Sequence, residues 1–276
     1  MGKTFIIAGL FVTAMLLGCV AASKQKPIPG FTFFETNTEG YREYTHDSSG
    51  IRFVRLPGGA FDMGSPAGEA GRFSREGPVR TVSLSGFLIA KYEVTQKEYE
   101  GVMTENVVSL SVAPSRFTGP NLPVEMVSWV DLHSADGFFE RTGLSLPSEA
   151  QWEYACRAGT SGPYAGNGTL EDMGWYSGNS GGMTHDVGGK QANQFGLHDM
   201  HGNVWEWCKD VYDPTFYGKS EALLPDPLAT AGSVLRVNRG GDVYRFTPHC
   251  RSAHRAADVP VHRDDDIGFR PILPLP

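Results

Sequence analysis

Apolar and polar positions repeat with two periods along this chain, after an opening stretch with no period at all. Thr4 to Leu17 is almost continuously apolar or small and follows the short positive start Met1-Gly2-Lys3. That stretch is too short and wrongly flanked to span a membrane, and reads as a signal peptide over residues 1–18. Residues 19–50 are polar with Pro and Gly, which predicts a tether and an entry segment that includes a strand, and a globular domain is expected over 51–276. Ile51 to Leu56 alternates as a strand does, and Pro57-Gly58-Gly59 turns it. Thr95-Gln96-Lys97-Glu98 is a capping box, with Val94 and Tyr99 placed as a hydrophobic staple. Ser128 opens a second helix that runs to about Gly143, with Trp129, Leu132 and Phe139 at helical spacing. Ser148 and Gln151 form another box at the head of a third helix, which Gly159 stops. Beyond Gly159 the chain is rich in Gly, Asn, Ser and Asp with short apolar runs, so the second half is dominated by loops and needs some source of rigidity other than ladders. Residues 105–122 read as an extra surface loop.

The first cysteine changes the reading of the leader. Leu16-Leu17-Gly18-Cys19 looks like a bacterial lipobox, with the polar Ser23-Lys24-Gln25-Lys26 behind it. Cys19 is therefore the expected lipidation site and the start of a mature lipoprotein. Several acyl chains on one cysteine anchor stably, so the expected location is the outer membrane or cell surface. An ordinary signal peptide that happens to contain a cysteine is the plainer alternative. Formal charge is −7, from 24 Lys and Arg against 31 Asp and Glu. Such a balance argues against nucleic acid as partner. Three cysteines remain after Cys19, an odd number, so at least one thiol is unpaired.

Few catalytic patterns are present. There is no Walker loop or dinucleotide fingerprint. His249, His254 and His262 with Asp264-Asp265-Asp266 raise the question of zinc, but their spacing is not that of a dedicated site.

Several segments, in order, carry a family resemblance. They are Leu56 to Ser65, Tyr92-Glu93-Val94-Thr95, Val124 to Trp129, Leu146 to Ala155, Asn193 to Trp207, Arg239-Gly240-Gly241, Cys250 to Arg255 and Gly268-Phe269-Arg270. Together they resemble the formylglycine-generating-enzyme (sulfatase-modifying factor) superfamily over about residues 50–273. The resemblance implies an α+β, C-type-lectin-like fold in a single domain with little regular secondary structure. It also implies a copper ion held by two thiolates, soft donors for a soft metal. Placed from Gly240-Gly241, the second thiolate falls on Cys250 and the first on Arg245, which cannot ligate a cation. The serine expected after Gly-Gly is Asp242. No copper and no catalysis are therefore expected. The resemblance further places a structural calcium on Asp199, Gly202, Val204 and Glu206, oxygen donors suited to a hard ion. A second family site would use Asn179, Ser180, Gly188 and Lys190, where Gly188 stands in place of an aspartate. A Cys208–Cys250 disulfide is favoured over any pairing with Cys156, whose amphipathic helix suits a buried thiol.

The C-terminal end has an unusual composition. Between framework residues stand Asp242, Val243, Tyr244, Arg245, Phe246, His249, His254, Asp258, Val259, Val261, His262, Asp264, Asp265 and Asp266. Residues 242–266 contain no Lys, Glu, Gln, Met or Trp, the residue types whose codons all end in a purine. That gap is expected where AAY codons have been randomised at their adenines, although the same types are already absent from Ala222 onward. It resembles the variable region of a diversity-generating retroelement, placed here at about 239–270. The reading is a lipoprotein that binds a macromolecular ligand, protein or glycan, through these residues. The competing readings are a periplasmic oxidase or modification factor of the same superfamily, and a fixed envelope scaffold.

Overall fold

The computed structural model describes residues 26–104 and 110–276. Cys19, the leader and residues 105–109 lie outside the described residues. The strands in chain order are β1 Phe31–Thr36, β2 Arg42–His46, β3 Arg52–Leu56, β4 Gly59–Met63, β5 Arg80–Leu84 and β6 Phe87–Ala90. After the helices come β7 Trp205–Val211, β8 Arg236–Arg239, β9 Ala256–Asp258, β10 Ile267–Gly268 and β11 Ile272–Pro274.

β3 alternates as predicted, but the domain starts earlier than expected. β1 and β2 pair antiparallel and continue into β3, β6 and β11 as one five-stranded sheet. The expected entry strand is thus a hairpin of two strands, and residues 31–46 belong to the folded domain. Their own alternation is weak because β1 is an edge strand with only Phe31 buried. β6 lies inside the sheet with all four residues buried, which accounts for its continuous apolar run. β11 pairs with β6 from Ile272↔Ile89 to Pro274↔Phe87, which ties the end of the chain to its first half.

Five short helices follow β6: α1 Gln96–Val102, α2 Trp129–His133, α3 Phe138–Thr142, α4 Glu149–Arg157 and α5 Leu170–Met173. The boxes at Thr95/Glu98 and Ser148/Gln151 form as predicted. Ser128 also caps its helix, through Asp131. The single helix expected to run from Ser128 to Gly143 is instead two. α2 stops at Ser134, and the chain turns through Gly137, where a Cβ would come 2.3 Å from the Asp131 carbonyl. Trp129, Leu132 and Phe139 keep helical spacing only by coincidence across that break.

The second half hangs on a four-stranded sheet of order β10-β7-β8-β9, with β10 parallel to β7 and the rest antiparallel. β4 and β5 form a separate two-stranded pair. Among the described residues no helix is long and apolar enough to cross a membrane.

Candidate ligand-binding surface

Two loops flank β9, residues 242–255 and 259–266, and they hold every residue picked out at the C-terminal end except Asp258. What fixes them is a set of arginines buried to 1% exposure or less: Arg239, Arg251, Arg255 and Arg270. Arg239 donates to Glu149 at 3.2 Å and Glu153 at 2.6 Å, and to the carbonyls of Ser252 and Ala253. Arg255 makes two 2.6 Å bonds to Glu149. Arg251 joins Glu76 and Glu69 and also donates to the Gly71 carbonyl. Burial alone would raise the Glu149 carboxyl, but Arg255 and Arg239 more than offset it and hold it below its usual range. These paired charges and carbonyl bonds supply the rigidity that the loop-rich second half lacks in ladders. At Gly241, φ is +79°, and a Cβ would stand 2.6 Å from the Cys250 Sγ, so the turn out of β8 needs glycine.

On this frame the predicted residues divide. Tyr244, Arg245, Phe246, Val259, Val261 and Asp264 are exposed, and His249, Asp258 and His262 are half-buried. Phe246 at 72% and Val261 at 62% exposure are large apolar groups left in water without covering neighbours. The others do not reach the surface as expected. Asp242 and Val243 are fully buried, and His254, Asp265 and Asp266 are buried too. Asp242 sits under the loop because its carboxylate accepts from the Tyr244 backbone at 2.5 Å and from Arg245 Nε at 3.0 Å. His254 is enclosed by Phe73, Trp205 and His249.

The two loops meet. The Tyr244 hydroxyl donates to Asp265 at 3.2 Å, and Arg245 lies 3.9 Å from Asp266. Asp265 also pairs with Arg116 from the extra loop, a contact no sequence spacing could announce. The second loop is pinned from below by Arg263, which grips Asp131 of α2 at 2.5 and 2.6 Å. Burial, Asp242 and Asp264 push the Asp266 carboxyl up to about 7. Arg245, His249, His254 and Asp258 share a cleft of about 250 Å³ with Arg75, Trp205 and Asn238. His262 stays outside it, 3.7 Å from Asp264.

The expected disulfide is absent: Cys156, Cys208 and Cys250 are all buried free thiols. Cys208 is on β7 with its side chain in the core, while Cys250 lies against Gly241. Burial raises all three thiols, Cys156 to about 12, so none is a ready thiolate.

Of the expected calcium positions, Asp199, Gly202 and Val204 lie in the loop before β7 and Glu206 on β7 itself, where its carboxylate is engaged. It accepts from Arg270 at 2.8 to 3.1 Å and from Trp152 Nε1 at 2.7 Å. Asp199 keeps one buried oxygen without a partner, while its other accepts from Gly188 at 2.6 Å. With Glu206 bound to a guanidinium, Asp199 is the carboxylate of the set that keeps a free acceptor. Of the second family site, Ser180 donates to the Val243 carbonyl and Lys190 to the Glu171 carbonyl.

A model of the sulfatase-modifying factor enzyme 1-like domain matches residues 42–274. The chain belongs to that family. Among relatives, the formylglycine-generating enzyme of Streptomyces coelicolor is 31% identical over 279 residues, covering 79% of this chain and 87% of that one. Among solved structures, Treponema denticola variable protein 1 superposes with a TM-score of 0.70 at 25% identity, over 90% of this chain and all of that one. PvdO from Pseudomonas aeruginosa gives 0.72 at 29% identity over 91% of this chain. The family therefore includes proteins named as enzymes and a protein named as variable on one C-type-lectin-like fold. That fold is α+β, with mixed sheets and short helices in a single domain.

Proposed function

We propose that this protein is a non-catalytic, surface-displayed lipoprotein that binds a macromolecular ligand through residues diversified by a retroelement. The observation that carries the reading is the alternation along residues 239–270 between a buried, charge-paired framework and outward side chains. Tyr244, Arg245, Phe246, Val259 and Val261 point to water from loops whose backbone is held by Arg239, Arg251 and Arg255. Side chains on such loops can change without unfolding the domain. Tyr and Phe there offer large contact area at low rotamer cost. The likeness to a protein named as variable supports the same reading. Against oxidase chemistry stand Arg245 in the position of one copper thiolate and the burial of Cys250 in the other.

The capacity for variation can be tested on a display library. Randomising Tyr244, Arg245, Phe246, His249, Asp258, Val259, Val261, His262 and Asp264 should leave most clones folded and yield binders to unrelated targets. A library that unfolds as often as one randomised at Arg239, Arg251 and Arg255 would overturn the proposal.

A further inference from the structure

The cleft shared by the two parts of the surface has a chemistry of its own. One wall is Arg75, which belongs to the segment between β4 and β5 and lies far outside the stretch of unusual composition. Its Nε donates to the Arg255 carbonyl at 2.8 Å, which holds the guanidinium in place. Arg245 and His249 line the same cleft. His249 Nδ1 faces His254 Nε2 at 3.3 Å, and His254 Nδ1 lies 3.4 Å from Glu76. Burial lowers both imidazoles, His254 to about 4, and Arg245, Arg75 and Arg251 lower His249 further against the opposing pull of Glu76.

The floor is different. Asp258, half-buried on β9, accepts from Asn238 through Oδ2 at 2.7 Å and brings a carboxylate to the cleft. The guanidiniums of Arg75 and of Arg245, the latter shared with Asp242, therefore stand beside acceptor oxygens. An aspartate or glutamate side chain would answer only the first of these, because an ionised carboxylate has no donor to give. A sugar acid answers both, with a carboxylate for the guanidiniums and hydroxyls for the acceptors. A cleft of about 250 Å³ lies below the roughly 300–1,000 Å³ of drug-sized pockets and suits a single sugar unit.

We propose that this cleft is a subsite for an acidic sugar residue of the ligand, with Arg75 as its constant anchor and Arg245, His249 and Asp258 as its changeable wall. The inference rests on the ligand-binding reading above and adds the class of ligand. It also assigns a recognition role to a residue outside the diversified stretch.

The experiment uses the full mature chain and four probes: glucuronic acid, glucose, a glutamate-rich peptide and inorganic sulfate, followed by NMR titration. Glucuronic acid should bind, with glucose weaker by tenfold or more, since a charge-assisted bidentate pair is lost. Arg75→Ala should weaken glucuronic acid about tenfold without shifting the weak binding of glucose, and Arg75→Lys should restore part of it. A thermal melt of each variant separates lost affinity from lost fold. Equal affinity for glucose and glucuronic acid, or no effect of Arg75→Ala, overturns the subsite. Binding of the peptide or of sulfate in preference to the sugar overturns it in favour of a simple anion site. None of these failures touches the library result, which reads the diversified surface independently.

Discussion

Arg239 shows what a buried charge does in this fold. Its guanidinium is fully enclosed, bonded to two glutamates of α4 and to two carbonyls of the loop that follows β8. Replacing it with Met leaves Glu149 and Glu153 short of a partner in a dry site. The expected cost is about 3–5 kcal/mol, read by urea denaturation. Phe246→Ser, on the same stretch but exposed, should change stability by no more than about 0.5 kcal/mol. Two carboxyls give opposite pH slopes. Burial raises Glu76, but the His254 ring 3.4 Å away and hydrogen bonds from Arg251 and Ser65 bring it down to about 2 from 4.5. Its contribution is present above pH 4.5 and is lost as pH falls toward 2. Glu76→Gln should remove that acid-side slope. Asp266 is raised from 3.8 to about 7 by burial and by Asp242 and Asp264, so its charge works against folding as pH rises between those values. Asp266→Asn should therefore be more stable than the parent at pH 8 and no different below pH 3.8, measured as melting temperature across that range.

At the scale of elements, the helix starts were legible because each is written locally. Ser148 and Gln151 satisfy each other's backbone donors within one turn, and Ser148→Ala should cost about 1 kcal/mol in the same denaturation assay. The ends were less legible. Nothing in the spacing of Trp129 and Phe139 betrays the turn at Gly137, which is set by backbone crowding against α2. The strand expected before residue 50 could not be divided into β1 and β2, because an edge hairpin with one buried residue in β1 has almost no apolar alternation to read. The framework of the surface could be named from the family motifs, but the division between exposed and buried fillings could not. Asp242 and His254 look like their exposed neighbours in sequence and are turned inward by partners far along the chain, Trp205 and Phe73 among them. The expected disulfide failed for a similar reason, since a cysteine count carries no distance. With no reductant added, all three of Cys156, Cys208 and Cys250 should titrate as thiols after denaturation. Only one free thiol would restore a disulfide.

For the molecule as a whole, a family fold with scarce ladders is held by internal ion pairs, and that arrangement frees two loop crests from structural duty. The same frame underlies relatives named as enzymes, so the fold alone does not decide function here. On this account diversity is confined to outward positions by the energetics of the frame: a change at Arg251 or Arg255 unpairs a buried glutamate, and a change at Tyr244 or Val261 does not. The most direct test is to sequence the encoding gene, and the DNA beside it, across many cells or isolates. The account predicts substitutions concentrated between codons 242 and 266, at exposed positions matched to adenines in a nearby template repeat, with Arg251 and Arg255 unchanged. A uniform C-terminal end without such a repeat, or substitutions spread equally over framework and crest, would contradict it.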